Sequence, residues 1–421
     1  MNLSEIQLEI VNSKEKNIIV DAGSGSGKTR VLTERVKRLL DEGVNPKSMV
    51  IITFTNMAAD ELYSRLAEYP KIKDCFIGTI HAYANKLLRR TGYEYDIFSE
   101  YWQTQFMTEL IPKYARYCTL DDYVLFVKYD RMCSIGKMSQ SEIKSKFSSY
   151  QVYDEMMFLL GRKNSINYPQ TVVTLCKNNN IITFDELIKL ATEYFEQSKT
   201  VLEYLFVDEL QDIGYLEYNF LMALKSTHNF VIGDDYQAIF GFKGGDVQIF
   251  LSLMNNPDWK AYQLTENYRT AKSILMYANS IVNKADNIIK KNVIFKNENK
   301  GQLDFTSKRL LDNFLKDIKE DEDWMILTRS NKEMTQIDSS LRKLNKEHYC
   351  LKQSTVSTKK MKEIMSKPCI KVMTIHSAKG LESENVALYG KLPVKGTGDS
   401  DELKVFYVGI TRAKNKCVVF I

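Results

Sequence analysis

The sequence predicts an α/β fold with parallel sheets, and three observations support this prediction. Short apolar runs typical of buried strands alternate with helical periods in both halves of the 421-residue chain. A glycine-rich loop follows the first of these runs. The stretch from about residue 88 to residue 203 has few strand-like runs and shows helical spacing, for instance at Phe184, Leu187, Ile188, Ala191 and Phe195. We therefore expect a helical insertion in an α/β scaffold.

The strands of this fold are expected where short apolar runs are bounded by polar or glycine-containing segments. The runs lie at 18–21, 49–54, 75–78, 205–208, 230–234, 325–329, 371–374, 386–389 and 417–421. Two strongly polar or glycine-rich stretches, near 317–323 and 391–402, are predicted to be loops.

Composition excludes several classes of protein. The formal charge of +5, with 44% hydrophobic and 26% charged residues, is typical of a globular chain and permits a local nucleic-acid surface. No apolar run approaches the roughly 18 residues of a membrane helix, and the first ten residues lack the basic region of a signal peptide. Seven scattered cysteines without a CxxC pair predict neither a disulfide framework nor a zinc site. We expect a cytoplasmic protein that does not enter a membrane.

The sequence AGSGSGKT at residues 22–29 has the pattern of a phosphate-binding loop, and it lies between the strand at 18–21 and a helix expected at 30–40. Its glycines let backbone N–H groups point at phosphates near the start of the helix. Lys28 would reach the β- and γ-phosphates, and the Thr29 hydroxyl would coordinate Mg²⁺. The standard pattern has glycine in place of Ala22, but the strand–loop–helix context favours this site over a flexible linker. The predicted ATP-binding residues here are Ala22, Gly23, Ser24, Gly25, Ser26, Gly27, Lys28 and Thr29.

A second magnesium ligand is expected at the carboxyl end of a neighbouring strand. The apolar run at 204–207 brings Asp208 to such a position, and Glu209 is then placed to orient or deprotonate the attacking water. An acidic pair alone is equally typical of a helix cap. Beside a phosphate-binding loop, it predicts an ATPase.

Further motifs occur in a fixed order. They are DELQD at 208–212, VIGDDYQAIFGFKG at 231–244, LTENYR at 264–269, ILTRSN at 326–331, VMTIHSAKGLE at 372–382 and FYVGITRA at 406–413, with TFTN at 53–56 and GTIHAY at 78–83 upstream. Together they resemble the motifs of UvrD/Rep-like superfamily 1A DNA helicases over almost the whole chain. The resemblance implies two RecA-like P-loop motor domains, the first with a helical insertion.

The resemblance also implies catalytic roles. Arg269 and Arg412 match two arginines of the second motor domain that stabilise the transition state of phosphoryl transfer. Gln237 matches the residue that senses the γ-phosphate. With Lys28 and Glu209, these residues form the predicted catalytic set.

Four other residues are implied to hold the nucleoside of ATP. Gln7 resembles the glutamine that reads adenine, Tyr268 and Arg30 the pair that sandwiches the base, and Glu382 the ribose contact. The implied cofactors are ATP and Mg²⁺.

Single-stranded DNA is expected to bind through aromatic stacking and polar contacts. The implied residues are Phe54, Asn56, His81, Phe240, Phe242, Lys243, Thr374 and His376. Core packing is an open alternative for Phe54 and Phe240, and a helix cap or a buried position for His376. Phe242 is favoured as a platform by its loop context. Lys243 keeps the charge of the family's usual arginine but not its planar shape.

The motif positions predict motor domain 1 at 1–88 and 204–262, a helical insertion at 89–203, and motor domain 2 at 263–421. The family's second insertion would lie within 332–371, a short stretch. We therefore expect it to be absent or reduced to about two helices, at 333–344 and 359–365. The sequence ends soon after the last motif, and we expect no nuclease domain there.

The leading prediction is an ATP-dependent 3′–5′ single-stranded DNA translocase or helicase that unwinds DNA or displaces bound protein. The alternative is an ATP-controlled DNA-binding sensor or regulatory subunit acting through a partner such as a nuclease, because a slow ATPase switch would keep the same residues. Expected partners are single-stranded DNA, junctions of single- and double-stranded DNA, and a nuclease or duplex-splitting subunit. A small-molecule kinase does not explain the later motifs, and RNA is less favoured than DNA.

Overall fold

The computed structural model describes residues 3–134, 140–163, 170–198, 202–351, 358–390, 393 and 399–421. The chain forms two compact units. The larger comprises Met1–Ile80, Val201–Tyr218 and Lys225–Ile421, and the smaller comprises His81–Thr200 and Asn219–Leu224. The predicted α/β class with parallel sheets is confirmed. The finer division into motor domains stays a prediction.

The strands are β1 (Asn17–Ala22), β2 (Met49–Thr53), β3 (Phe76–Thr79), β4 (Asp96–Ile97), β5 (Ile181–Ile182), β6 (Tyr204–Val207), β7 (His228–Gly233), β8 (Lys260–Leu264), β9 (Glu266–Asn267), β10 (Ile294–Phe295), β11 (Gln302–Thr306), β12 (Trp324–Thr328), β13 (His348–Cys350), β14 (Ile370–Thr374), β15 (Ser383–Tyr389) and β16 (Ala413–Phe420).

The helices are α1 (Glu5–Asn12), α2 (Lys28–Asp41), α3 (Asn56–Leu66), α4 (Ile80–Arg89), α5 (Glu100–Tyr114), α6 (Leu120–Ser134), α7 (Gln140–Lys144), α8 (Tyr150–Leu159), α9 (Val172–Asn178), α10 (Phe184–Gln197), α11 (Tyr215–Ala223), α12 (Val247–Met254), α13 (Lys272–Val282), α14 (Leu311–Asp317), α15 (Asn331–Lys343), α16 (Thr358–Met365) and α17 (Ser400–Ile410). Among the described residues, none of these helices combines the length and the apolar character that crossing a bilayer requires.

The larger unit contains two six-stranded sheets, both wholly parallel. The first has the strand order β3-β2-β6-β7-β1-β8 and the second β11-β16-β15-β12-β14-β13. Their central strands, such as β2 and β12, are buried along their whole length, as expected when helices cover both faces of a parallel sheet. Every predicted strand is present, with ends displaced by a few residues.

Sequence analysis missed the strands β8, β11 and β13, which lie at sheet edges. Their side chains are mostly exposed or half-buried, so they lack a continuous apolar run. Within the first sheet, β6, β7 and β1 are neighbours. Because carboxyl ends of parallel strands meet at one edge, the segments that follow these three strands lie side by side.

The smaller unit is mostly helical, as predicted for this part of the chain, and it also contains the two-residue strands β4 and β5. Its core includes Phe106, Leu110, Phe126, Met156 and Leu159. The carboxylate of buried Glu155 accepts backbone N–H bonds from residues 116, 117 and 118, at 2.8, 2.6 and 2.7 Å, and so anchors the turn between α5 and α6.

One residue of the predicted helical stripe in this unit is not in the core. The side chains of residues 187, 188, 191 and 195 on α10 are buried. Phe184, by contrast, is 52% exposed, because it is the first residue of α10 and follows its N-cap. Its ring contacts His81 edge-on, with 5.0 Å between centroids.

The two helices predicted within 332–371 are present as α15 and α16. Both pack into cores around the second sheet, and their assignment to a reduced second insertion stays a prediction. Met334, Ile337 and Leu341 of α15 join one core cluster. Met361 and Ile364 of α16 join another, and β13 adds a strand to the sheet. The described part of this stretch therefore belongs to the second sheet's own fold.

Candidate nucleotide-hydrolysis site

The loop after β1 has the geometry of a phosphate cradle. Gly27 is the N-cap of α2 with φ 87°, and Gly25 has φ 71°, both in the left-handed region that favours glycine. A Cβ on Gly25 would lie 2.5 Å from the side-chain nitrogen of Asn267. The buried hydroxyl of Ser26 has no hydrogen-bond partner among the described residues. This orphaned hydroxyl and the adjoining helix N-terminus fit the phosphates of a nucleotide.

Lys28, the first residue of α2, lies between this loop and β7. Its ammonium is 3.4 Å from the carbonyl oxygen of Ala22, to which it donates, and 4.0 Å from a carboxylate oxygen of Asp234. Thr29 follows it on the helix and is partly buried. The predicted phosphate and magnesium ligands of this loop are therefore brought together at the edge of the sheet.

Asp208 and Glu209 follow β6, and their environments differ. Burial and the neighbouring Glu209 charge raise the pKa of Asp208 to about 7. For Glu209, burial opposes ionisation, but the charges of Lys28 and Lys379 outweigh it and lower the pKa to about 2. Glu209 also has φ 57°, a strained conformation of the kind found at functional sites. An ionised carboxylate held in this way can orient water or accept its proton.

Gln237 bonds both Asp234, after β7 of the first sheet, and Arg412, which directly precedes β16 of the second. Its side-chain nitrogen donates to Asp234 at 2.6 Å, and its side-chain oxygen accepts from Arg412 at 3.0 Å. Arg412 is buried, and it also donates to the carbonyl oxygens of Val408 and Leu381 at 2.9 and 3.2 Å. Burial and the charge of Arg269 lower the pKa of Arg412 to about 9. Its guanidinium is therefore fixed close to the end of β7.

Arg269 reaches the phosphate loop itself. Its guanidinium donates to the hydroxyl of Ser24 and, at 3.1 Å, to the carbonyl of Thr411. It also pairs with Glu382 at 3.3 Å, and Lys414 pairs with the same carboxylate at 3.0 Å. Glu382, the implied ribose contact, is thus held by two cations beside the loop.

The implied adenine-binding residues gather around the same loop. The buried Gln7 donates to the carbonyl of Ser26 at 3.0 Å and accepts from the backbone N–H of Ser4 at 3.1 Å. The backbone N–H of Tyr268 donates to the carbonyl of Gly25 at 3.0 Å. Arg30 is partly buried on α2.

Four of the predicted DNA-contacting side chains form an aromatic cluster. Phe54 stacks on Phe240, with 4.9 Å between centroids. Phe242 lies edge-on to His376 at 5.3 Å, and Phe240 lies 6.1 Å from both Phe242 and His376. Phe240 is 5% exposed and belongs to the core, so the core interpretation left open for it is correct in this structure. Phe242, by contrast, is 51% exposed, as a stacking platform requires.

The other predicted DNA contacts are distributed differently. Asn56 is exposed at the start of α3, and Thr374, at the end of β14, bonds the Ser377 hydroxyl at 2.9 Å. His81 belongs to the smaller unit, where its ring lies edge-on to that of Phe184. The side chain of Lys243 lies outside the described residues.

Sequence reasoning missed three residues that line this site. Asp234 holds Gln237 and faces Lys28, while Asn267 donates to the carbonyl of Ser24 at 2.7 Å. Lys379 donates to Asp212 and lies 3.7 Å from Glu209. All three lie inside quoted motifs, and a search for charged or amide side chains in those motifs could have found them.

Comparison with known proteins agrees with this geometry. The family model described as UvrD/REP helicase N-terminal domain matches residues 3–258. The model described as UvrD-like helicase C-terminal domain matches residues 348–421.

Similar curated proteins are DNA helicases by name. A probable DNA helicase of Mycoplasma pneumoniae is 27% identical over 94% of this chain and 79% of its own length. The ATP-dependent DNA helicase PcrA of Leuconostoc citreum is 28% identical over 80% of this chain, and that of Staphylococcus epidermidis 30% over 67%. The chain spans 48% and 40% of these two PcrA proteins, respectively.

Proposed function

Since the chain belongs to the UvrD/Rep helicase family, a family of enzymes, we propose that it is an ATP-dependent DNA motor that moves 3′ to 5′ along single strands. Its proposed output is the separation of DNA strands or the displacement of bound protein. The observation that carries the proposal is the pair Arg269 and Arg412. Arg269 follows β9 and Arg412 directly precedes β16, so neither belongs to the first sheet, yet Arg269 reaches Ser24 and Arg412 reaches Gln237.

The proposed chemistry is hydrolysis of ATP at the carboxyl ends of the parallel strands of the first sheet. Thr29 and Asp208 would hold Mg²⁺, which would supply charge neutralisation at the phosphates. Lys28 binds the β- and γ-phosphates, and the ionised Glu209 orients the attacking water and takes its proton. Arg269 and Arg412 stabilise the negative charge that develops on the transferred group.

Coupling to DNA is proposed to run through the turn after β7. Gln237 begins this path beside Arg412, and Phe240 and Phe242 follow it in the chain. A change in the position of Gln237 on hydrolysis therefore has a short covalent route to the exposed ring of Phe242. His376, edge-on to that ring, links the route to the loop after β14.

The proposed partners are single-stranded DNA and its junctions with duplex. One observation favours the second candidate, an ATP-controlled DNA-binding subunit that acts through a partner. The described residues of 332–371 pack around the second sheet, so they offer no separate element for splitting duplex. A nuclease or duplex-splitting subunit would then supply it. We propose the cytoplasm as the site of action, because the similar proteins come from bacteria, whose DNA lies in the cytoplasm.

The test is ATP hydrolysis with and without single-stranded DNA, alongside strand separation of duplexes with a 3′ or a 5′ tail. DNA-stimulated hydrolysis with unwinding of the 3′-tailed duplex alone is the expected result. Stimulation without unwinding would favour the partner-dependent candidate. Hydrolysis that DNA does not stimulate would contradict both.

A further inference from the structure

A buried lysine lies among three buried carboxylates behind the phosphate loop. Lys291 follows α13, and its ammonium lies 2.9 Å from Asp21, 3.3 Å from Asp234 and within bonding distance of Asp235. The carboxylate oxygens lie within 4.8 Å of one another, a spacing that would suit a metal ion. The ammonium of Lys291 supplies positive charge among them.

The segment that carries Lys291 is fixed from several sides. Its backbone N–H donates to the Tyr236 hydroxyl at 3.2 Å, and its ammonium lies 3.8 Å from the centre of the Tyr236 ring. The same hydroxyl donates to Asn283 at 2.6 Å, and the backbone N–H of Ile289 donates to Asp235. Residues 283–291 are therefore docked onto the turn after β7.

Asp234 connects this cluster to the nucleotide site. Its carboxylate accepts a hydrogen bond from Gln237 at 2.6 Å and faces Lys28 at 4.0 Å. Lys28 and Lys291 therefore share one buried carboxylate. If Lys291 were absent, the uncompensated charge of the cluster would attract Lys28 more strongly, because buried charges interact at low dielectric.

We propose that Lys291 is a positioning residue for ATP binding and hydrolysis. It holds Asp234 so that this carboxylate orients Gln237 and leaves Lys28 able to bind phosphates. The proposal rests on the ATPase function proposed above.

The charge balance of the cluster supports this role. Three carboxylates face Lys291 directly, and burial raises the pKa of Asp21 to about 7 even beside this ammonium. The pKa of Lys291 is raised, because the three carboxylates outweigh the cost of its burial. Three carboxylates lie around the Lys291 ammonium, and the nearest other cation named here, Lys28, is 4.0 Å from Asp234, so removal of Lys291 would leave buried negative charge that acts on its neighbours.

The experiment compares Lys291→Met with the wild-type chain by the affinity for a fluorescent ATP analogue and by KM and kcat for ATP. Loss of one partner of a buried charge pair is expected to weaken analogue binding and raise KM on the order of tenfold, with a lower kcat. Adding Asp21→Asn to this variant removes one of the excess negative charges. It should recover several-fold of the lost affinity.

The matched control is Lys371→Met. Lys371 is also fully buried and paired with a carboxylate, that of Asp323, but it lies on β14 away from the phosphate loop. The Lys371→Met substitution should lower the urea midpoint of unfolding and leave the affinity for the analogue unchanged. An equal loss of affinity in Lys371→Met, an unchanged affinity in Lys291→Met, or no recovery with Asp21→Asn would overturn the proposal.

One further variant and one further outcome separate a failure of folding, or of the proposed function, from a failure of the role proposed for Lys291. If Lys291→Met does not fold, Asp21→Asn is tested alone. This variant should bind the analogue at least as tightly as the wild type, because the residue 21 side chain no longer competes with Asp234 for the Lys291 ammonium. Weaker binding by that variant would overturn the proposal. A wild-type chain that binds the analogue without hydrolysing ATP would contradict the proposed function, while the comparison of affinities would still test Lys291.

Discussion

Replacement of Glu209 by glutamine separates nucleotide binding from hydrolysis. The substitution keeps the size of the side chain but removes the carboxylate. That carboxylate lies 3.7 Å from the ammonium of Lys379 and accepts a hydrogen bond from the side-chain amide of Gln211. An amide cannot accept the proton of the attacking water at neutral pH. General-base catalysis contributes about 10²- to 10⁴-fold, so we expect kcat to fall by about that factor, or roughly 3–5 kcal/mol in the barrier.

The affinity for nucleotide should not fall in this variant. The Glu209 carboxylate places negative charge near Lys28, and its removal does not oppose the binding of negatively charged phosphates. Glu209→Gln should therefore bind a fluorescent ATP analogue at least as tightly as the wild type. A matched surface variant, Glu61→Gln, removes an exposed carboxylate that is paired with Arg65 on α3. It should leave kcat and affinity unchanged.

The assays are steady-state ATP hydrolysis with saturating single-stranded DNA and equilibrium binding of the analogue. Two results would refute the reasoning. A kcat within threefold of the wild type would show that Glu209 is not the base, and loss of analogue binding would show a structural role instead.

Three other substitutions test separate parts of the account. Lys28→Ala removes the phosphate-binding ammonium and should abolish ATP turnover; turnover at the wild-type rate would contradict the assignment of the phosphate loop. Phe242→Ala removes an exposed ring that is 5.3 Å from His376. Since a base stack is worth about 1–3 kcal/mol, the DNA concentration for half-maximal stimulation of hydrolysis should rise roughly 5- to 150-fold, and an unchanged value would remove Phe242 from the DNA path. Glu155→Ala leaves three backbone N–H groups of the helical unit without their acceptor; the free energy of unfolding in urea should fall by about 3 kcal/mol or more, and a loss below about 1 kcal/mol would show that water replaces the carboxylate.

Much of the fold was predictable because its signals are local. Each buried strand of a parallel sheet is a nearly continuous apolar run, so the central strands could be found from the local sequence alone. The edge strands β8 and β11 carry exposed polar side chains and gave no such signal. Phe184 fitted a helical stripe by spacing, but its position at the start of α10 leaves it exposed, and only the tertiary structure shows this.

The site divides in the same way. The phosphate loop is one continuous stretch of sequence, Asp208 and Glu209 are adjacent in another, and each stretch directly follows a strand, so their chemistry is visible in the sequence. Lys291 lies in an ordinary lysine-containing stretch, and its three partners come from residues 21, 234 and 235. No local pattern marks such a residue, because its role depends on contacts between distant parts of the chain.

The measurement that tests the central claim most directly is displacement of streptavidin from biotinylated single-stranded oligonucleotides during ATP hydrolysis. A motor that moves 3′ to 5′ should remove streptavidin from a 5′ biotin many times faster than the spontaneous rate and leave a 3′ biotin occupied. Glu209→Gln should release neither. ATP-independent release, or release from the 3′ end alone, would contradict the account of this chain as an ATP-driven motor with that direction.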